Sequence, residues 1–263
     1  MQVIEKPTNY ADTFRRWRSN EIDASYPYVE NIRAPLTTVR RALPMLNLGL
    51  ITSAGAYIDG TEPFDLDTRD GDLDYREFPI EVEAADMRYA SKGFDPTAVN
   101  DDRNAQIPID RLREYEENAV IGSLNNVWWS LSPHIPNAGR VADELGPALA
   151  ERLARYDVQA ALLIPASRLC HQTLGIIARV IEKAGIPTIT ISVKPNMTDR
   201  VRPPRTAYYN GKLGSVAGDA NWPEYQLRIL DETLRWMETF DQPGSRKLAV
   251  DLESKVEAAR GER

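Results

Sequence analysis

The chain has 263 residues, of which 42% are hydrophobic, and a formal net charge of −7 at pH 7. This length suits one large α/β domain or two small lobes. The negative charge gives no electrostatic support for binding to nucleic acid or to a membrane surface. A single cysteine excludes an internal disulfide and a cysteine-based zinc site. Because no signal-peptide pattern and no apolar run of about 18 residues occurs, we expect a cytoplasmic protein without a membrane span.

The first part of the chain is predicted to contain an arm and one lobe. Residues 1–42 are polar and aromatic, and we predict a peripheral N-terminal arm with a helix-like stretch near 13–18. Residues 43–135 are predicted to form a first α/β lobe. Its predicted elements are a strand within 46–55 that ends in a loop of small residues, a second strand at 79–82, and a helix at Ile109–Glu117.

The second part is predicted to form another α/β lobe at 136–240, followed by a charged C-terminal tail at 241–263. Its predicted elements are a helix at 139–155, a buried strand at 158–165, a helix at 171–184, a strand at 187–193, an irregular region at 194–218 and a helix at 222–240. The repeated order of strand, loop and helix predicts an α/β fold with a mostly parallel sheet, either as two similar lobes around a cleft or as one doubly wound sheet.

Two loops are predicted at the carboxyl ends of strands, where ligands bind in open α/β sheets. One holds Thr52 and Ser53, and the other begins at Ser167. Thr52 and Ser53 would line a shared cleft, although small residues after a strand also form simple tight turns. Arg202 and Arg205 flank two prolines and would bind a substrate carboxylate, or they form salt bridges on an acidic surface.

Cys170 is the strongest candidate for chemistry, because it follows the buried strand at the start of a helix. Backbone N–H groups at a helix N-terminus favour a thiolate, so we expect an accessible Cys170 with a lowered pKa. The alternative is an inert, buried cysteine. His171 would act as a general base or thiolate partner, or would bond to backbone. Gln172 and Thr173 would donate to a carboxylate substrate, or would cap the helix.

The sequence supports no resident cofactor. It has no glycine-rich nucleotide motif of the G-x-G-x-x-G or Walker type. Asp95, Asp101 and Asp102 could meet a hydrated cation, but acidic loops usually face water, and we predict no metal site.

The stretch Ser167-x-x-Cys170-His171-Gln172-Thr173 resembles the active-site motif of selenoprotein B of the glycine, sarcosine, betaine and D-proline reductases. In those reductases the first position is selenocysteine, so the chain resembles a serine-x-x-cysteine branch of the family. Further blocks that resemble the family follow in its order, over about residues 25–240: Phe64-Asp65, Tyr75-Arg76-Glu77-Phe78-Pro79, Ile109-Asp110-Arg111-Leu112, Val120-Ile121-Gly122 and Val201-Arg202-Pro203-Pro204-Arg205.

The resemblance implies a reductase-like enzyme or enzyme subunit that acts on a small amino-acid-like or amine substrate through the Cys170 thiol, by reductive C–N or C–S cleavage. Ser167 cannot form the selenenyl-sulfide of the family, so an external thiol reductant or a partner protein would complete the cycle. A homo- or hetero-oligomer is expected. Two alternatives are a non-redox cysteine-dependent enzyme in the same cleft and a catalytically inactive binding or assembly subunit.

Overall fold

The computed structural model describes residues 14–17 and 28–250. Within these ranges the strands are β1 Arg15–Trp17, β2 Tyr28–Glu30, β3 Asn47–Thr52, β4 Ala56–Ile58, β5 Tyr75–Pro79, β6 Met87–Tyr89, β7 Ser123–Leu124, β8 Val127–Leu131, β9 Ala160–Ile164, β10 Thr188–Ser192, β11 Arg205–Tyr208 and β12 Gly244–Lys247. The helices are α1 Thr97–Asp101, α2 Ile109–Glu117, α3 Ala138–Arg140, α4 Gly146–Arg155, α5 Arg168–Lys183, α6 Pro195–Val201 and α7 Pro223–Thr239. A π-helical turn, Val141–Leu145, joins α3 to α4, and 3₁₀ turns lie at Leu43–Met45, Ala84–Asp86 and Arg103–Ala105.

The principal sheet has the strand order β12-β11-β10-β9-β3-β8-β5, with β7 paired to β3. All of its pairs are parallel except the edge pair β5–β8. The predicted α/β class with a mostly parallel sheet is therefore confirmed. Strands from both predicted lobes meet in this sheet, because β3 pairs with β9 from Leu48↔Ala160 to Thr52↔Ile164. The lobe boundaries themselves stay a prediction.

The sheet is covered on both faces. Alternate residues of its two central strands point to opposite sides: Leu162 and Ile164 belong to the hydrophobic core shared with α2 and α7, whereas Leu163 belongs to the core shared with α4, α5 and α6. This period of two explains why the continuous apolar run at 158–165 is buried on both sides. In the described part of the chain, no helix is both long and apolar enough to cross a membrane.

Three local predictions were wrong. The stretch near 13–18, predicted to be helical, contains strand β1, which pairs with β2; residues 13 and 18 lie outside the described ranges. The strand predicted at 79–82 lies earlier, at β5, and the chain turns at Ile80. The region 194–218, predicted to be irregular, holds α6 and β11. The predicted charged tail supplies the edge strand β12 within its described part, and its boundary stays a prediction.

The topology determines where a site forms. From the central strand β3 the sheet extends in one direction through β8 and in the other through β9. Loops that leave the carboxyl ends of β3, β8 and β9 therefore meet at the point where the strand order reverses, which is where open α/β sheets bind ligands.

Candidate functional site

Ser167 begins α5 as its N-cap. Its extended backbone (φ −113°, ψ 173°) stops the helix from starting earlier, and its Oγ accepts a hydrogen bond from the Cys170 N–H at 3.2 Å. This is the usual N-cap arrangement, in which a serine oxygen satisfies a backbone donor at a helix start. The strand, loop and helix order predicted around 158–184 is thus confirmed, with Cys170 in the first turn of α5.

The Cys170 sulfur is fully buried and is surrounded by oxygen atoms from three loops. Ser167 Oγ lies 3.0 Å from Sγ, the Pro133 carbonyl oxygen 3.3 Å and the Ser53 carbonyl oxygen 3.7 Å. Carbonyl oxygens only accept hydrogen bonds, so they suit a thiol S–H and disfavour a negatively charged sulfur.

Burial raises the pKa of the Cys170 thiol, and this effect outweighs hydrogen bonds from Ser167, Ser53 and the backbone of Ala166 and Ser167, which lower the pKa. The expectation of an accessible thiol with a lowered pKa is therefore wrong for this structure. The helix N-terminus is present, as predicted, but removal from water has the larger effect on the charged form.

Two glycine-containing segments cover the Ser167 loop. A Cβ added at Gly93, where φ is +80°, would lie 3.3 Å from Ser167 Cβ. Gly214, with φ of +81°, donates its N–H to the Ala166 carbonyl at 3.0 Å, and a Cβ there would collide with the carbonyl oxygen of Asp95. The segment around Gly93 and the segment around Gly214 therefore pack against the Ser167 loop, next to the buried sulfur.

His171 links two loops at the carboxyl edge of the sheet. Its Nδ1 lies 2.7 Å from the Ser167 carbonyl oxygen, and its Nε2 lies 3.2 Å from the Val193 backbone nitrogen. Because a carbonyl can only accept and an N–H can only donate, Nδ1 carries the proton and Nε2 accepts. Burial lowers the pKa of His171 to about 4, so the ring is neutral near pH 7. Both nitrogens bond to backbone, which matches the structural alternative for His171.

Gln172 and Thr173 are also buried and bonded within the protein. Gln172 Oε1 accepts the Val29 N–H at 2.7 Å and so holds β2 against α5. Thr173 Oγ1 donates to the Leu169 carbonyl at 3.3 Å. Neither side chain caps the helix, since Ser167 does so, and their binding to a substrate stays a prediction.

The loop after β3 meets the Ser167 loop, as the sequence predicted. Thr52 Oγ1 donates to the Ile164 carbonyl at 3.0 Å, and Ser53 Oγ accepts the Ala166 N–H at 3.2 Å. Both side chains are fully buried. Ser53 also supplies one of the carbonyl oxygens near the Cys170 sulfur, so it belongs to the immediate surroundings of the thiol.

Arg202 and Arg205 lie elsewhere. Arg205 starts β11 and is fully buried, with Nη1 2.5 Å from Glu182 Oε1 near the end of α5. Glu182 is 12 residues beyond Cys170, which is about 18 Å along a helix. Arg202 is exposed and donates to the Ile32 carbonyl at 2.9 Å. The structure thus places both arginines at the amino edge of the sheet and does not bring them together with the Ser167 loop. Arg205 does form a salt bridge, as the alternative had it, but this pair is buried and does not lie on an acidic surface.

Glu182 and Arg205 form a buried network with Thr37 and Thr188. Glu182 accepts hydrogen bonds from the Thr188 N–H at 2.7 Å and from the Thr37 N–H at 2.5 Å, while Arg205 Nη2 donates to the Thr37 carbonyl at 2.6 Å. Burial raises the pKa of Glu182, and the charge of Arg205 opposes that rise. The network therefore joins the chain at Thr37 to the end of α5 and the start of β10.

Sequence reasoning missed Pro133, which contacts the sulfur, and Gln106, which bonds to the end of β9. Pro133, in the loop after β8, contributes a carbonyl to Cys170 and to Ser167 Oγ. Gln106 is fully buried; its Nε2 donates to the Ile164 carbonyl at 3.3 Å and its Oε1 accepts the Val216 N–H at 3.1 Å. The sequence did hold a signal for Pro133, because the apolar run at 127–131 predicts a strand and the Ser-Pro pair after it predicts a loop at the end of that strand. No sequence signal pointed to Gln106.

The acidic candidates have separate roles. Asp95 Oδ1 accepts the Thr97 N–H at 3.0 Å, and Asp102 accepts from Asn104, Asn221 and Gln226. Within residues 14–17 and 28–250, no three His, Cys, Asp or Glu side chains are grouped to hold a metal ion.

The fold and site define a class: a doubly wound α/β protein with a serine and a cysteine in contact at the topological switch point. Residues 21–166 match the family model described as glycine/sarcosine/betaine reductase selenoprotein B (GRDB). The chain belongs to this selenoprotein B family. The matched residues end at Ala166, directly before Ser167.

Curated relatives agree with this assignment. The chain is 30% identical over 199 residues to D-proline reductase subunit gamma of Acetoanaerobium sticklandii, covering 76% of this chain and 81% of that protein. It is 28% identical to glycine reductase complex component B subunit gamma of Symbiobacterium thermophilum and 24% identical to sarcosine reductase complex component B subunit beta of Peptoclostridium acidaminophilum. These two alignments include 67% and 65% of this chain, but only 42% and 40% of the length of those relatives. No solved structure matches the chain.

Proposed function

We propose that this chain is a subunit of a multi-subunit reductase for a small amino-acid-like or amine substrate, and that Cys170 is its reacting thiol. The observation that supports this most is the 3.0 Å contact between Ser167 Oγ and Cys170 Sγ at the switch point of the sheet. Several relatives are named as components of D-proline, glycine and sarcosine reductases.

Serine at position 167 limits the chemistry. A serine hydroxyl cannot be oxidised together with a thiol to a disulfide-like bond, so positions 167 and 170 cannot form an internal redox bond during a cycle. In the proposed reaction the Cys170 thiol displaces a leaving group X from substrate R–X, giving a thioether and HX. One molecule of an external thiol then releases R–H and leaves a mixed disulfide, and a second restores Cys170 and departs as the external disulfide. The sum is R–X + 2 thiol → R–H + HX + disulfide.

This proposal requires the protein to open. The sulfur has no exposed surface, and ionisation in the closed state is opposed by burial and by the carbonyls of Ser53 and Pro133. We propose that the segments around Gly93 and Gly214, which pack against the Ser167 loop, are the ones that move. A partner subunit that binds on the carboxyl edge of the sheet would stabilise the open form.

The second candidate is an assembly subunit that keeps the scaffold without the reaction. The complete burial of Cys170 and the raised pKa of its thiol favour it specifically. In this case the motif residues have a structural role, as His171 and Gln172 already do through their bonds to Val193 and Val29.

The two candidates are separated by co-expressing the chain with the proteins encoded beside its gene and purifying the complex. D-Proline, glycine, sarcosine and betaine are offered with dithiothreitol as reductant, and product is measured for the wild type and for Cys170→Ala. Reduction that is lost in Cys170→Ala supports the reacting thiol. Equal turnover by both complexes overturns that role, and an intact complex in which neither form turns over supports the assembly subunit. Ser192→Ala, in a buried serine whose hydroxyl bonds to Thr198 and Lys194, is the matched control.

A further inference from the structure

The Ser167 hydroxyl lies at the start of α5 beside the Cys170 sulfur, and its hydrogen-bond geometry points to a defined task. Ser167 has one proton to donate and two acceptors within reach, the Pro133 carbonyl oxygen at 3.2 Å and the Cys170 sulfur at 3.0 Å. One of its own lone pairs is occupied by the Cys170 N–H. The oxygen of the hydroxyl is therefore fixed in position, and its proton can be donated to either of two acceptors.

The thiol faces the same carbonyl. Cys170 S–H can donate to Pro133 O at 3.3 Å or to Ser53 O at 3.7 Å. While the sulfur holds its proton, the carbonyl of Pro133 is a better acceptor for the hydroxyl than a neutral sulfur is. Once the sulfur is negatively charged, it has no proton to give, and a charged acceptor forms the stronger bond.

We propose that Ser167 is a positioning residue for the Cys170 sulfur, whose hydroxyl donates to the Pro133 carbonyl when Cys170 is a thiol and turns to Sγ when Cys170 is a thiolate. This inference rests on the proposed role of Cys170 as the reacting thiol. In this role the serine makes formation of the thiolate depend on a hydrogen bond that this chain supplies.

Other groups act weakly or point elsewhere. The Ser53 side chain and the backbone of Ala166 and Ser167 also favour the thiolate. His171, the adjacent titratable group, is turned to Val193. The charged side chains of the covering segments have partners away from the sulfur: Lys92 with the Leu66 carbonyl, Asp95 with Thr97 and Lys212 with Asp219.

The first test is the S–H stretching band in the infrared spectrum. The chain has one cysteine, so one band reports Cys170 directly. In Ser167→Gly and Ser167→Ala no hydroxyl competes for the Pro133 carbonyl, so the hydrogen bond from the Cys170 S–H to this carbonyl is expected to strengthen. A stronger hydrogen bond weakens the S–H bond, and the band is expected to move to lower wavenumber. Glycine is a good N-cap and alanine a poor one, so an equal shift in both variants separates the hydroxyl from the capping role.

Matched controls complete the design. Ser167→Thr keeps a hydroxyl and is expected to restore the wild-type band. Ser192→Ala, in a buried serine that bonds to Thr198 and Lys194, is expected to leave the band unchanged. Circular dichroism checks that each variant is folded. A band that stays in place in Ser167→Gly, or that moves as far in Ser192→Ala, overturns the proposal.

The second test follows the thiolate through its ultraviolet absorbance across pH, with Cys170→Ala as the blank, because this readout needs no reagent to reach the buried sulfur. Loss of a hydrogen bond to a charged sulfur is expected to raise the midpoint by about one unit, which is about a tenfold smaller thiolate fraction at a fixed pH below it. An unchanged midpoint in Ser167→Gly contradicts the thiolate part of the proposal. Neither test needs turnover, so failure here is distinct from failure of Cys170 as the reacting thiol, which the Cys170→Ala complex measures.

Discussion

His171 should make the stability of the protein depend on pH in a defined window. The ring is fully buried and neutral, with a pKa of about 4 in place of its usual 6.5. Below pH 6.5 the unfolded chain takes up a proton at this position, whereas the folded chain does not until about pH 4. The contribution of His171 to the free energy of unfolding is therefore complete above pH 6.5 and is lost as pH falls towards 4.

The magnitude follows from the difference between the two pKa values. About 2.5 units at about 1.4 kcal/mol each gives a loss of about 3 kcal/mol between pH 6.5 and pH 4. A loss of this size is a large part of the stability of an ordinary domain. Carboxyl groups also titrate at the lower end of the window, but they do so equally in variants that differ only at histidine.

The assay is urea denaturation followed by tryptophan fluorescence at several pH values from 7.5 to 4.5. His171→Gln is expected to be less stable at pH 7.5, because the bonds to Ser167 and Val193 change, yet its free energy of unfolding should vary less between pH 6.5 and 4.5 than that of the wild type. His134→Gln removes the other histidine, which is only partly buried, and should keep the wild-type slope. Equal slopes in His171→Gln and wild type would refute the reasoning, as would an NMR titration that places the pKa of His171 above 6.

Three further predictions concern the thiol and the buried ion pair. Ser167→Cys should form an internal disulfide with Cys170 after mild oxidation, because Ser167 Oγ and Cys170 Sγ lie 3.0 Å apart and two sulfurs need to approach to about 2.05 Å. Mass spectrometry should show the loss of two hydrogens, and two separately alkylated thiols would contradict the prediction. In the wild type, Cys170 should label with iodoacetamide far more slowly when folded than in urea, and complete labelling of the folded protein within the time taken in urea would show an open site. Glu182→Gln should lower the free energy of unfolding by about 3 kcal/mol or more, since it leaves the charge of Arg205 buried without its partner. The control Arg202→Lys, at an exposed position, should change the free energy of unfolding by less than about 0.5 kcal/mol. An equally small effect of Glu182→Gln would show that the carboxyl of Glu182 is held protonated.

The sequence predicted the region around the motif well, because its signals are local. A continuous apolar run before Ser167 and helical periodicity after it are enough to place a strand, a loop and a helix start. The meeting of the Ser53 and Ser167 loops was also predictable, since carboxyl ends of parallel strands share one edge of a sheet. The Ala166 N–H to Ser53 Oγ bond confirms that prediction.

The environment of Cys170 could not be predicted in the same way. The helix N-terminus is a local feature, but the carbonyls of Pro133 and Ser53 come from segments far away in sequence, and so does part of the packing around the Ser167 loop. Burial of the sulfur reverses the expected direction of the thiol pKa. Strand β1 was missed for a similar reason, because its pairing partner β2 is held in place by Gln172, more than 140 residues further on.

The region 194–218 shows a different kind of failure. Its prolines suggested an irregular chain, but Pro195 occupies the first turn of α6, where a missing N–H costs nothing. Arg202 then adopts a left-handed conformation at the end of that helix (φ 55°), and Pro203 and Pro204 lead into β11. The prolines thus mark the boundaries of two elements rather than the absence of structure.

The position of β3 in the sheet has a consequence for how the chain folds. Its hydrogen-bonded neighbour β9 is about 110 residues away, and Ser53 and Cys170 are 117 residues apart. Closing so large a loop costs conformational entropy before any contact between the strands is gained, and parallel pairing of this kind is slow. During synthesis, β7 and β8 become available to one edge of β3 before β9 does, so the other edge of this strongly apolar strand stays unpaired until β9 has been translated. We expect the chain to depend on chaperones during this interval, and fragments that end before α5 to aggregate rather than fold.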